Sequence, residues 1–385
     1  MNTIQLHRNS DTTFILLMIP TGAYCDHSHI KGVSHFVEHM CFKGTSNRTR
    51  EQINGEIERY GGNINAFTDW DVTCYYAEII NKHANKAKEI LVDMVTNPTF
   101  PRKELEKERD VIIQEINMYE GDLDSQVEDL GAKQLYKKTC GKYLGIAGTR
   151  NTVKNIQRKD LINHYNKYHK NPLLIIIGDV ENKIDCDTNL YTSVMNDFDI
   201  KKTPEEYYEE NAEISQARLD MRGVFYNKSL SITENVVYLD LLSCLYNDMS
   251  GRLFAKIREE KGYVYRVNFG AEIHGNGAID WRVSLGLNKL NIKKAYNLVM
   301  QELKRPVTKE ELDFIKTKAI GQHAIYYSSN DALGTDIAYC VAQGIDWEDI
   351  LINYSGYIEK ISSNINALLE KTPFENGVPI GIIPE

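Results

Sequence analysis

No run of 18 apolar residues occurs anywhere in this 385-residue chain, so no membrane-crossing helix is expected. Paired cysteines are missing as well. The seven present, Cys25, Cys41, Cys74, Cys140, Cys186, Cys244 and Cys340, are odd in number, scattered and without a C-x-x-C spacing, which excludes a disulfide framework and a cysteine zinc cluster. Basic charge is in deficit, with 45 Lys+Arg against 54 Asp+Glu and a net charge of -9, so no cationic face is advertised to a nucleic acid. The opening stretch MNTIQLHRNSDTTFILLMIPTG carries neither a basic leader nor a small-residue cleavage pattern, and with unpaired cysteines it places the chain in a cytoplasmic compartment as an expectation. What remains is the ordinary composition of a soluble globular protein, 42% hydrophobic and 26% charged, long enough for two or three units.

Hydrophobic periodicity gives the order of elements. Thr13 to Ile19 reads as a first strand, Gly32 to Phe42 as a helix closed by Gly44, and Thr49 to Tyr60 as a helix stopped by Gly61-Gly62. Paired strands follow at Asn63 to Asp69 and Thr73 to Ile79, then a helix from Asn81 to Val95 and a long helix from Pro101 to Gly121. Leu173 to Ile177 is a continuous aliphatic run of the buried-strand type. The acidic stretch at 197–216 is the linker candidate, dividing the chain into domains at 1–196 and 217–385. After it the order recurs: strand Arg218 to Val224, helices Thr233 to Asp248 and Gly251 to Lys261, strands Val264 to Phe269 and Ala278 to Leu287, then two helices. Residues 87–116 also align weakly, helix for helix, with 294–323. The expected class is α+β, two repeated α+β domains, each a mixed or antiparallel sheet with helices packed on one face.

One segment carries chemistry. In GVSHFVEHMCFKGT, His35 and His39 stand four residues apart, on one face of a helix, and Glu38 shares that face. A hydrolytic zinc site needs three protein ligands, an open position for water and a carboxylate able to take a proton from that water. This pentad supplies two ligands and the base, in the reverse order of the commoner H-E-x-x-H. Candidates for the third ligand, Glu108 and Glu115, lie on the long helix after Pro101, seven residues and about 10 Å apart. One would ligate and the other support it; spacing does not rank them. Cys41 reads as a small core residue, and His27 and His29 as surface residues.

These residues, together with YGGNINAFTDWDVTCYY, the stretch Pro98 to Met118, the GTR segment near Gly148 and GRLFAKIREEKGYVYRV, resemble the pitrilysin or insulinase family of zinc metallopeptidases, in its two-domain mitochondrial-processing-peptidase form. The resemblance implies that Glu115 is the third zinc ligand and that Glu108 supports the site. It implies that Asn65 and Ala66 lie on an edge strand to which substrate adds as a further strand. It also implies that Arg258 and Tyr265, in the second half, hold the substrate carbonyl. Because the second half has no pentad and the repeat sets Gln322 opposite Glu115, one half is expected to carry one Zn²⁺ and the other the Arg/Tyr pair. A homodimer enclosing a chamber follows as the expectation, with no nucleic acid and no membrane partner.

The function so implied is a zinc endopeptidase acting on unfolded peptides, leader segments or precursors. Two other readings stand beside it: a subunit active only beside a different chain, and a non-catalytic peptide-binding scaffold.

Overall fold

The computed structural model describes residues 1–138, 140–185, 187–191, 208–212 and 216–384. Its first half runs β1 (Thr3–His7), β2 (Thr12–Ile19), α1 (Val33–Cys41), α2 (Arg50–Glu58), β3 (Asn63–Thr68) and β4 (Thr73–Ile80). Then come α3 (Ala84–Thr96), α4 (Arg102–Gly121), α5 (Leu123–Leu135), α6 (Arg150–Asn155), α7 (Arg158–Tyr168), β5 (Leu173–Gly178) and β6 (Lys183–Asp185). The second half runs β7 (Tyr208–Ala212), β8 (Ala217–Tyr226), α8 (Ile232–Tyr246), a π-helical turn at Phe254–Glu260, β9 (Val264–Ile273) and β10 (Ala278–Leu287). It closes with α9 (Ile292–Lys304), α10 (Lys309–Tyr326), α11 (Asn330–Gln343), α12 (Trp347–Ser362), α13 (Ile365–Lys371) and β11 (Val378–Pro384). No helix among the described residues is long and apolar enough to cross a membrane.

The chain forms two compact units that do not follow contiguous boundaries. One comprises Met1–Met118, Leu144–Asn196 and Ile325–Ile345; the other comprises Tyr119–Tyr143, Asp197–Ala324 and Asp346–Glu385. Each half of the sequence therefore lends a helical segment to the unit built mainly by the other half. The linker expected at 197–216 lies mostly outside the described residues, and its stretch Tyr208–Ala212 is strand β7.

The first unit holds a sheet of order β3-β4-β2-β5-β1-β6, mixed because β1 runs parallel to β5 while β2 runs antiparallel to both β4 and β5. Strand β1, TIQLH, was not anticipated; it is short, and the polar RNSD run after it hides its alternation. Ile15, Leu17 and Ile19 of β2 join Val33, Phe36, Val37 and Met40 of α1 and Ile90, Leu91 and Met94 of α3 in one core. Helices pack on that face as expected, and α11 packs on the reverse face. A Cβ on Gly334 would lie 2.6 Å from the Phe14 ring, and Phe14 alternates with Ile15 along β2, so the helix backbone rests directly on the sheet. This explains why TFILLMI of β2 is apolar at nearly every position: it is buried on both sides.

The second unit holds a sheet of order β7-β11-β8-β10-β9, antiparallel except for β11 with β7. A buried charge network ties the borrowed segment 119–143 to it. Asp280 accepts from Tyr136 Oη at 2.5 Å and stands 3.3 Å from Lys142 Nζ and 3.7 Å from Arg222 Nη2. Lys142 Nζ also stands 3.0 Å from His274 Nε2. Burial alone would raise the Asp280 carboxyl, but Lys142 and Arg222 outweigh it and hold it at about 2.

Candidate metal centre

Helix α1 starts where the carboxylate of Asp26 takes the place of a side-chain cap at its own N-terminus. Asp26 Oδ2 accepts from Gly32 N at 2.8 Å, and its Oδ1 accepts from Ser34 N at 3.2 Å and Ser34 Oγ at 2.6 Å. These are donors that a helix start leaves unpaired, so the acid both satisfies them and favours the positive end of the helix. From this anchored turn His35 and His39 project on one side, their rings 4.6 Å apart and nearly perpendicular.

Helix α4 supplies the carboxylates. Glu115 Oε2 lies 3.7 Å from His35 Nε2 and 3.7 Å from His39 Nε2. Among the described residues, His35, His39 and Glu115 form the one group of three metal-capable side chains whose donor atoms all lie within 4.8 Å of one another. Glu108 stands two turns earlier on α4 in a different role: its Oε2 is 3.1 Å from His39 Nδ1, and its Oε1 is 2.6 Å from Lys43 Nζ. Burial would raise the Glu108 carboxyl, yet His39 and Lys43 bring it below the ordinary range, so it is ionised and can only accept. The proton of a neutral His39 then sits on Nδ1 and the lone pair on Nε2, facing Glu115.

Burial and neighbouring charges shift the remaining members from their ordinary ranges. His35 is lowered to about 3, by burial first and by neighbouring His39 second, and its buried Nδ1 has no hydrogen-bond partner among the described residues. Against the effect of burial, the bond to Glu108 and the nearby carboxylates raise His39. Glu38 is raised to about 6, chiefly by burial. Its Oε2 accepts from Thr68 Oγ1 at 2.7 Å.

Thr68 ends β3, which pairs with β4 from Asn63↔Glu78 to Thr68↔Thr73 and forms the edge of its sheet. Asn65 and Ala66 lie on that edge, with Ala66 N–H donating to Asn65 Oδ1 at 2.9 Å. Cys41 is fully buried, its thiol pushed up to about 12 by burial, and lies outside the donor set. His27 and His29 are exposed and stack on each other.

Arg258 and Tyr265 belong to the second unit. Arg258 sits in the π-helical turn, its guanidinium 4.5 Å from the Phe254 ring, where a regular helix was expected. Tyr265 is the second residue of β9 and rests on Gly286, where any Cβ would come within 2.4 Å of its ring, with Arg218 5.4 Å above. Both side chains are partly open to solvent.

Sequence reasoning missed Lys43 and Thr68. Lys43 follows His39 by four residues, the helical same-face spacing, and Thr68 follows Ile64 and Ala66 by the strand period of two. Either spacing could have pointed to them.

The family model for insulinase (peptidase family M16) matches residues 3–145, and the model for the peptidase M16 inactive domain matches residues 189–319. An uncharacterized zinc protease of Bacillus subtilis, YmxG, is 31% identical over 328 residues, 82% of this chain and 79% of that protein. The human mitochondrial-processing peptidase subunit beta is 35% identical over 167 residues, 43% of this chain and 34% of that subunit. In fold, a protease from Helicobacter pylori superposes with a TM-score of 0.84 at 15% identity, covering 99% of this chain and 96% of that one.

Proposed function

Since the chain belongs to the insulinase (M16) family of peptidases, we propose that it is a zinc-dependent endopeptidase that cleaves peptides or leader and precursor segments. The observation that carries this reading is the convergence of His35 Nε2, His39 Nε2 and Glu115 Oε2, with Glu38 on the same helix as both imidazoles. The donor set fits zinc. His35 and His39 would hold the ion through imidazole nitrogens and Glu115 through a carboxylate oxygen, three protein ligands of the kinds found in catalytic zinc sites, and Glu115 Oε2 lies 3.7 Å from each Nε2. A bound Zn²⁺ would polarise a peptide carbonyl and make water acidic enough to lose a proton near neutral pH.

The remaining work belongs to this chain's own side chains. Glu38, with its carboxyl lifted to about 6, takes the proton of the attacking water and returns it to the leaving amine. Glu108 holds His39 through Nδ1 and is itself held by Lys43, which fixes the ring and its tautomer. The β3 edge at Asn65 and Ala66 accepts the peptide as an added strand, reading backbone more than side chains. Arg258 and Tyr265 hold the substrate carbonyl. In this reading the division at 1–196 and 217–385 is one of labour, metal half against Arg/Tyr half. A homodimer with equivalent composite sites in a cytoplasmic setting completes the proposal.

A second reading has one observation in its favour: the second half matches a domain described as inactive. An obligate partner of different sequence would then complete the site, and a scaffold role would follow if no turnover were found at all. The test is the protein purified alone. Near-stoichiometric zinc with chelator-sensitive hydrolysis of a quenched fluorescent peptide, lost in Glu38→Gln without loss of zinc, supports the endopeptidase. Zinc without hydrolysis moves the assignment to a partner subunit or scaffold.

A further inference from the structure

Of the contacts around the centre, that between Thr68 and Glu38 joins two parts with different tasks. Glu38 lies on α1 between the two imidazoles; Thr68 is the last residue of the edge strand β3. Their side chains meet at 2.7 Å, Thr68 Oγ1 donating to Glu38 Oε2. A glutamate has three side-chain torsions, and a buried one reaches a water in a fixed position only if something holds its carboxylate. A threonine is stiff about its first torsion, so its hydroxyl stands where its backbone puts it.

That backbone is held firmly. Beyond Thr68 the turn closes with Asp69 N–H donating to Val72 O at 2.8 Å. Ala23 N–H donates to Asp69 O at 2.8 Å and Tyr24 N–H to Trp70 O at 3.1 Å, so a second stretch of chain lies flat against the turn. Only a glycine fits at the start of that stretch, because a Cβ on Gly22 would lie 2.1 Å from Asp69 O. From α11, Tyr339 Oη donates to Asp69 Oδ2 at 2.6 Å while its ring stacks on Phe67 at 5.9 Å. Residues 22–24 and 339, remote from one another in sequence, thus fix the end of β3.

We propose that Thr68 is a positioning residue that holds Glu38 in its working orientation, and that the edge strand thereby both seats the peptide and aims the base. This rests on the endopeptidase reading above. It assigns Thr68 an effect on turnover and little on substrate affinity, since a peptide added to β3 would pair with its backbone and not with this hydroxyl.

Thr68→Val removes the hydroxyl at nearly constant shape, and Thr68→Ser keeps it. Each is compared with wild type and Glu38→Gln for zinc content, for kcat and KM on a quenched fluorescent peptide, and for the Glu38 conformation in a crystal structure. Thr68→Val is expected to keep zinc and KM within twofold, to lower kcat about tenfold or more, and to show Glu38 displaced or split between rotamers. Thr68→Ser is expected to recover kcat to within about threefold. A Thr68→Val enzyme with wild-type kcat and a single unmoved Glu38 overturns the inference, as does a Thr68→Ser enzyme as slow as Thr68→Val. If wild type itself cleaves nothing, the endopeptidase reading fails, and the Glu38 conformation in Thr68→Val still decides the role of Thr68.

Discussion

Glu108→Gln tests the support given to His39, and its size follows from the local geometry. The Glu108 carboxylate is buried between two donors, His39 Nδ1 at 3.1 Å and Lys43 Nζ at 2.6 Å. An amide has one acceptor and one donor end. If its oxygen turns to His39, its NH₂ faces the Lys43 ammonium; if it turns to Lys43, two donors meet at His39. Either way His39 loses a charged acceptor that fixes its tautomer and makes Nε2 more basic. Outer-shell changes of this kind cost about 10- to 100-fold in metal affinity, or about 1.4 to 2.7 kcal/mol. Alanine would be a poorer probe, because it leaves Lys43 buried without its partner, at a cost of about 3 to 5 kcal/mol. Competition with a chromogenic chelator at constant pH measures the zinc Kd of both proteins, and melting of the metal-free forms checks that the fold survives. A Kd within twofold of wild type would refute the role given to Glu108.

Arg258→Ala and Tyr265→Phe are expected to retain zinc and lower kcat about 100- to 1000-fold, the range for loss of one group that stabilises developing charge; metal analysis beside steady-state kinetics checks both. Gly22→Ala is expected to destabilise the chain by about 1 to 3 kcal/mol, as a Cβ there would overlap Asp69 O, and a urea titration reads the shift. Asp280 binds its proton less tightly folded, at about 2, than at its ordinary 3.8, so its contribution of about 2 kcal/mol is complete above pH 3.8 and disappears as pH falls through about 2. The stability gap between wild type and Asp280→Asn, measured by urea at pH 5 and pH 2.5, is therefore expected to narrow at the lower pH.

Local pattern made much of this fold legible. Helix α1 and strand β3 were readable because their periods and punctuating glycines agree, and the imidazoles of α1 announced themselves by spacing alone. Choosing between Glu108 and Glu115 needed the resemblance, since a seven-residue spacing puts both on one stripe; in the fold their partners differ, Lys43 and His39 Nδ1 for one, two Nε2 atoms for the other. Helix α11 shows the limit of such reading. Two helices were expected after Leu287 and five follow, and nothing in the period of NDALGTDIAYCVAQ says that Gly334 lies on Phe14, a strand residue more than 300 positions earlier. The charge network about Asp280 was hidden for the same reason, because Tyr136 and Lys142 come from a segment remote in sequence. The π-helical turn at Phe254–Glu260 was read as a regular helix, since the extra residue per turn alters hydrogen bonding without altering composition.

Zinc-edge anomalous diffraction from crystals of the metal-loaded protein tests the central claim most directly. The account predicts one strong peak per chain, about 2.0 to 2.2 Å from His35 Nε2, His39 Nε2 and a Glu115 oxygen, with Glu108 bound to His39 and not to the ion. A peak at any other set of residues, or none from protein that hydrolyses peptide, would contradict it.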